Sequence, residues 1–353
     1  KEDWAGVARK WAEWAINGGF DIYHFHYPIN GTLLPKFSDL EMLHRKGKKI
    51  VVSFWGSDQK ADEWIIYNQV KYLGYDPPKP HFLTMKHVRC HDAVQRYADC
   101  ILGFECIPRG YKWYGMIDKD DWTIEERDKI RSQKLIKKYV NKIYILHAPS
   151  SNWKKGTNLI FDLIDKAKQD GAPIEMLYVA NMSLKDAKNI YAYADYAIDQ
   201  VGVGYSGLFG LECMMWEIPV MSYMTPLGRH IQGYPPITNI LNEPLKGYLK
   251  LDGVMGRNWV IENATIQSQI PKLINIYEDL LAGNRIMQYD NYPRWKDEAD
   301  KVIHCAQNEK SPHRSEFYRY LCKHNILSEL GWDVSGLKPE EYFDSRFYVL
   351  PGE

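Results

Sequence analysis

The stretch from Lys142 to Met224 narrows what this chain can fold into more than any other. KIYILHAPS reads as a short apolar strand running into a loop, and KGTNLIFDLIDKAKQ follows with helical spacing. IEMLYVAN, LKDAKNIYAYA, DYAID, GLFGLECMMWE and IPVMSYM then alternate strand and helix up to Met224. Strands that alternate with helices at these spacings cannot pair as hairpins. They predict a doubly wound parallel sheet of α/β type.

The first half carries a thinner version of the same pattern. Residues 4–15 place Trp4, Val7, Ala8, Trp11, Ala12 and Ala15 at helical spacing, and FDIYHFHYP reads as a strand after the Asn-Gly-Gly break. A helix over 38–47 leads to the strand KKIVVSFWGSD. Residues 60–74 and 84–98 read as helices, and CILGFEC as a third strand. Only three strands are legible before residue 110, fewer than a complete Rossmann-like lobe needs. Residues 119–142 are highly charged, with a predicted helix TIEERDKIRSQKLIKKYV that reads as the bridge between halves. Its basic surplus suits a solvated helix face better than anionic lipid or substrate. Beyond residue 265 helices dominate, including 311–324. The expected division is 1–138, 139–305 and a helical tail over 306–353, which could pack back on the first domain.

At 353 residues the chain exceeds one ordinary core. Its 45 basic and 45 acidic residues cancel, which argues against a nucleic-acid binder. No apolar run is long enough to span a membrane and no signal peptide is visible. The six cysteines have no disulfide or zinc-ribbon spacing, so a reduced, cytoplasmic setting is expected.

Doubly wound sheets bind ligands beyond the carboxyl ends of their strands. The loops there are HFHYPINGT, FWGSDQK, HAPSSNWKKGT, DQVGVGYSG and SYMTPLG. HAPSSNWKKGT opens a helix, whose free N–H groups and dipole suit phosphate. Ser150, Ser151 and Asn152 add donors, and Lys154 or Lys155 a full charge. An ordinary βα loop with surface lysines would look the same. VGVGYSGLFGLE is a second helix entry, presenting Tyr205, Ser206, Gly207 and Leu208, with Gly202, Gly204 and Gly207 permitting close backbone approach. Glu212 follows about one and a half turns into the helix. An acid in an apolar run needs partners. A vicinal diol, as in a ribose, is one; a Lys or Arg is the bland alternative. Glu217 reads as a solvated acid at the helix end.

On the first half, His24 and His26 share one strand face with Phe25 opposite, and His26 lies nearer the strand end. His26, Asp58 and Lys155 are the catalytic candidates, though for His26 a structural role fits as well. Asp58 could orient a ligand hydroxyl or cap a helix. Gly31, Trp55, Gly56 and Ser57 lie in the same pair of loops as cleft candidates, and Arg229 and His230 could neutralise an anionic ligand group. His87, Cys90 and His91 have metal-capable helical spacing, with His81 upstream, but no fourth ligand is clearly placed, so no metal is expected.

The ordered set HAPS…KKGT, YADYAIDQ and GLFGLECMMWEIPVMSY resembles the retaining glycosyltransferases of family 4, which have the GT-B fold of two Rossmann-like domains facing a cleft. The stretch from FDIYHFHYP to KKIVVSFWGSD resembles that family's first domain, so the resemblance spans roughly residues 20–280. It implies transfer of a sugar, with retention, from a nucleotide diphosphate such as a UDP-sugar to a hydroxyl acceptor. The sugar nucleotide would be a co-substrate, with no other cofactor and no bound metal. Polysaccharide or glycoconjugate biosynthesis is the implied setting, with the acceptor a glycan or a lipid- or protein-linked group. The implied location is the cytoplasm or the inner face of a membrane. Glu212 matches the second acid of the family's E-x7-E and Lys155 its phosphate-binding lysine. Gly204 stands where the first acid should be, Asn152 where an arginine is usual, and Trp55-Gly56 where a His-Gly pair is common. These departures keep open a silent nucleotide-sugar-binding subunit of the same fold. A two-lobed nucleotide-sugar epimerase is a third reading.

Overall fold

A computed structural model describes residues 4–28, 34, 37–55, 90, 93–94, 96–103, 110–112, 115–224, 232, 235–240, 252–284 and 286. Two compact units divide the chain, with the described residues up to Lys112 and from Asp279 onward in one and Trp113–Glu278 in the other.

In the first unit, α1 (Trp4–Asn17) precedes β1 (Ile22–His26), α2 (Ser38–Arg45), β2 (Lys49–Ser53), β3 (Cys100–Gly103) and β4 (Gly110–Lys112). The strands form one parallel sheet in the order β1-β2-β3-β4. Ile50, Val51 and Val52 of β2 are fully buried, as expected of a parallel strand covered on both faces. Leu40 and Leu43, three apart on α2, join Ile50, Val52 and Ile101 in one core. The fourth strand, GYK, is too short and too polar to stand out in sequence. Tertiary pairing to Ile101–Gly103 makes it one.

The second unit contains α3 (Ile124–Ser132), β5 (Ile143–His147), α4 (Asn152–Lys155), α5 (Thr157–Gln169), β6 (Ile174–Tyr178), α6 (Leu184–Tyr191), β7 (Tyr196–Ile198), α7 (Leu208–Met215), β8 (Val220–Ser222), β9 (Thr238–Asn239), α8 (Gly253–Asn263) and α9 (Ile266–Leu281) as far as Glu278. Its strands are all parallel, in the order β6-β5-β7-β8-β9. Thr123 and Ser183 cap α3 and α6 through hydroxyls that accept from Glu126 N–H and Asp186 N–H, both at 3.2 Å. Ile145, Ile160, Ile164, Ile198 and Met221 close the core between sheet and helices.

The α/β class with two Rossmann-like parallel sheets is the one expected. Two elements differ. The helix predicted over TIEERDKIRSQKLIKKYV stops at Ser132, and Lys134 takes φ 54°. The helix predicted from the HAPSSNWKKGT loop is split at Gly156, which takes φ 70° between α4 and α5. The structural division falls between Lys112 and Trp113, ahead of the expected 138/139 boundary, because the charged segment packs on the second unit. Arg127 Nη1 donates to Trp216 O at 2.5 Å, and Ile117 bridges to Thr265. Of the helix expected over 84–98, the described residues Cys90, Ala93, Val94, Arg96 and Tyr97 are helical. The helices over 60–74 and 311–324, and the tail over 306–353, lie outside the described residues.

Candidate nucleotide site

The order β6-β5-β7 fixes where a ligand can enter the second unit. The chain leaves β5 toward β6 on one side and returns to β7 on the other, so the loops after β5 and β7 part company. A sheet with this order opens a crevice at the carboxyl ends of those two strands. Lys155, from the loop and helix after β5, and Asp199, from the end of β7, meet there.

Lys155 Nζ donates to Asp199 Oδ1 at 2.9 Å. The Asp199 side chain is fully buried and that of Lys155 is 14% exposed. Asp199 Oδ2 accepts from Ser206 Oγ at 2.9 Å and from Gly207 N–H at the start of α7. Three donors thus satisfy a carboxylate that would be costly to bury alone. Val201 N–H donates to Lys155 O at 3.0 Å, tying the two loops together. Gly207 lies close under the pair: a Cβ there would come within 2.7 Å of Lys155 Nζ, so a larger residue would displace the ammonium from its place on Asp199. Gln232 holds Ser206 from the other side: its Oε1 accepts from Ser206 N–H at 3.0 Å and its Nε2 donates to Ser206 O at 2.6 Å.

The far end of α7 is anchored by cations from other helices. Arg257 donates to Met215 O and Arg127 to Trp216 O, two carbonyls left over at the helix end. The N–H groups of Leu208 and Phe209 in the first turn have no partner among the described residues. The positive end of α7 therefore lies at the crevice beside the Lys155–Asp199 pair.

Glu212 lies one turn into α7 and makes no hydrogen bond or ion pair among the described residues. Burial pushes its carboxyl up to about 7, and the Asp199 carboxylate pushes the same way, against the weaker pull of Lys155 and Lys188. Burial also raises the nearby Tyr191 phenol and Cys213 thiol, so both stay protonated. The bland alternative, a Glu already paired with Lys or Arg, is not what the described residues contain. Glu217 differs from its expectation: at φ 56° and partly buried, it approaches Arg127 Nη1 at 3.6 Å.

His147, at the end of β5, is buried and bonded on both nitrogens. Nδ1–H donates to Ile198 O at 2.8 Å, so Nε2 accepts from Thr157 Oγ1 at 2.9 Å. Burial lowers its pKa to about 4, keeping the ring neutral. The ring joins β5, β7 and the start of α5 at the switch point.

Of the sequence candidates, the fold brings Lys155, Ser206 and Gly207 together, with Glu212 one turn on. Tyr205 is buried, its carbonyl taken by Gln200 Nε2, and Leu208 is half exposed. Ser151 caps α4 only through its carbonyl, which accepts from Lys155 N–H at 3.0 Å. Asn152 is turned to Tyr178 of β6, Oη to Oδ1 3.0 Å, rather than to the lysine. Sequence reasoning missed Asp199, His147, Thr157 and Gln232. Asp199 carried a signal, an acid closing an apolar strand at its carboxyl end; Gln232 carried none.

In the first unit the rings of His24 and His26 stack at 4.1 Å, as expected for one strand face, and His26 lies 5.9 Å from Trp55. His24 Nε2 bonds Ser53 Oγ at 2.6 Å, and burial lowers its pKa to about 3; burial also lowers that of His26. His26 and Trp55 are both exposed at the carboxyl edge of the first sheet. Gly31, Gly56, Ser57, Asp58, Arg229, His230, His81, His87 and His91 lie outside the described residues. Cys90, Cys100 and Cys213 are buried free thiols, and the described residues hold no cluster of His, Cys, Asp and Glu that could bind a metal.

No family model matches the chain. No curated protein matches it either. Among solved structures it is similar to a sucrose-phosphate synthase from Thermosynechococcus elongatus, at 11% identity over 80% of each chain with a TM-score of 0.49. It is also similar to the catalytic domain of starch synthase IV from Arabidopsis thaliana bound to ADP and acarbose, at 12% identity over 78% of this chain and 76% of that one, TM-score 0.42. A third is WaaG, a glycosyltransferase involved in lipopolysaccharide biosynthesis, at 13% identity over 79% and 96%, TM-score 0.39. The fold reading rests on the two parallel sheets and their strand order rather than on these likenesses.

Proposed function

We propose that this protein is a GT-B glycosyltransferase that binds a nucleotide-diphosphate sugar at the β5/β7 switch point and transfers the sugar, with retention, to a hydroxyl. One observation carries the reading: Lys155, with one of its donors on Asp199, and two N–H groups of α7 that have no partner among the described residues stand at the crevice, one turn from an acid that has none among those residues either. The diphosphate takes the remaining Lys155 donors and the Leu208 and Phe209 N–H groups. The ribose diol donates to Glu212. Cleavage places negative charge on the β-phosphate, where Lys155 and the helix end stabilise it in the transition state. The acceptor proton passes to the leaving phosphate oxygen. A UDP-sugar, a lipid- or protein-linked acceptor, a metal-independent reaction and a cytoplasmic site of action belong to the same proposal, with His26 and Trp55 on the acceptor side. Among the described residues no helix is long and apolar enough to cross a membrane.

A second reading has one observation in its favour. Gly204 takes φ 91°, a conformation that suits glycine and strains a glutamate, so the backbone itself is shaped without the family's first acid. That fits a chain that binds nucleotide sugars without turning them over. Thermal-shift screening over UDP-, GDP-, ADP- and CMP-sugars, followed by hydrolysis and transfer assays, tests both. Selective stabilisation lost in Lys155→Met and Glu212→Ala, with turnover, supports the enzyme. Stabilisation without turnover selects the binder, and no stabilisation by any nucleotide sugar refutes both.

A further inference from the structure

The segment between α3 and β5 carries chemistry that the nucleotide site does not use. From Lys129 to Lys142 there are six basic residues and no acid, in a chain whose net charge is zero. Arg131, Lys134, Ile136, Lys137, Lys138, Tyr193 and Asp195 line a half-open cavity of about 540 Å³. Lys138 is paired with Asp195 at 2.6 Å. Arg131 gives Nε and Nη2 to the carbonyls of Ala192 and Ala194 and has no acid within ion-pair distance among the described residues. Lys134 has no partner there either, and Lys137 only lies over the Tyr139 ring at 5.2 Å.

The same segment exposes apolar side chains between its lysines: Leu135 at 57%, Tyr139 at 53% and Val140 with no cover at all. It is not a loose loop. Tyr193 Oη accepts from Leu135 N–H at 2.8 Å, and Tyr144 Oη from Tyr139 N–H at 3.0 Å while donating to Lys137 O at 3.3 Å. Two buried tyrosines thus hold the backbone in a shape that leaves Leu135 and Val140 in water. A soluble anion would reward the lysines but leave those side chains unsatisfied. A surface that offers negative charge and a hydrocarbon layer rewards both.

We infer that residues 131–140 dock the protein on an anionic lipid bilayer, with a headgroup phosphate in the Arg131–Lys134–Lys137 cavity and Leu135 and Val140 at the acyl boundary. The segment leads into the amino end of β5, and Asp195 precedes β7, so docking occurs at the end of the sheet away from the crevice. A five-residue strand separates the two by about 16 Å, and the bilayer leaves the nucleotide site open. The inference does not depend on the glycosyltransferase reading.

The full chain is sedimented with phosphatidylcholine vesicles and with vesicles containing 30% phosphatidylglycerol, at about 50 and 500 mM salt. Binding is expected to the anionic vesicles only, falling at high salt. Lys134→Gln and Lys137→Gln should each weaken it about five-fold. Leu135→Ser with Val140→Ser should weaken it about ten-fold at both salt concentrations. All four side chains are exposed, so thermal unfolding should not change, and a variant that unfolds early is replaced by Lys134→Ala or Val140→Ala. Equal binding to neutral vesicles, no binding to anionic ones, or binding unchanged in all three variants overturns the inference. So does glycerol phosphate binding without vesicle binding, which would make the cavity a site for a soluble anion.

Discussion

Replacing Glu212 by Gln should make the free protein more stable and a worse nucleotide binder. The carboxyl titrates near 4.5 in an unfolded chain and near 7 in the fold, because burial and Asp199 disfavour its charge. Between those values the folded state binds the extra proton, so stability falls as pH rises from 4.5 and the loss is complete above 7. At about 1.4 kcal/mol per pH unit, the full cost is about 3 kcal/mol. A glutamine has the same shape and no charge to lose. Urea unfolding of wild type and Glu212→Gln at pH 5 and pH 8.5 isolates the effect, because other titrating groups cancel in the difference. The advantage of Gln should grow by about 2–3 kcal/mol between the two pH values. A nucleotide sugar that stabilises the wild type at pH 8.5 should stabilise the variant far less, since Gln accepts only one strong bond from a diol. A pH-independent difference, or a variant less stable than wild type at pH 8.5, would show that Glu212 is already paired in the free protein. The ribose assignment would then fall.

His147 should give the opposite slope. Its pKa is lowered to about 4, so the unfolded state takes up the proton first and stability is lost as pH falls from 6.5 toward 4. His147→Asn should be less stable than wild type at pH 7.5, and the gap should shrink by about 2 kcal/mol by pH 5, read by urea midpoints. Lys155→Met should cost about 3 kcal/mol by leaving the buried Asp199 carboxylate with two donors instead of three; a change under 1 kcal/mol would mean that the pair is worth no more than a surface ion pair. Gly204→Glu should not create activity and should cost about 1–3 kcal/mol, because φ 91° strains any side chain. A gain of transfer activity in that variant would show that the missing acid alone limits the chemistry.

The parts of the fold that were readable are those whose cause is local. Runs such as KIVVS and IYILH are apolar because both faces of a parallel strand are covered, and the intervening helices keep their own period. Lys155 and Glu212 stood out for the same kind of reason, a charge beside a helix start and an acid inside an apolar run. The helix predicted over 123–140 runs past the real one because its composition suits a helix, and composition does not know that Tyr193 and Tyr144 will capture the backbone after Ser132. GYK became a strand only because a neighbour offered it a ladder.

By itself, then, the sequence determined two α/β halves, the loops where ligands gather, and two of the charged groups in the second. Tertiary structure decided which loops meet. The order β6-β5-β7 brings Lys155 to Asp199 across 44 positions of chain, and turns an unremarked strand-end acid into the hub of the site. It also decided the proton on His147 and the raised carboxyl of Glu212. Both depend on what surrounds a group in three dimensions, since the free energy of a charge is set by the water and partners it keeps.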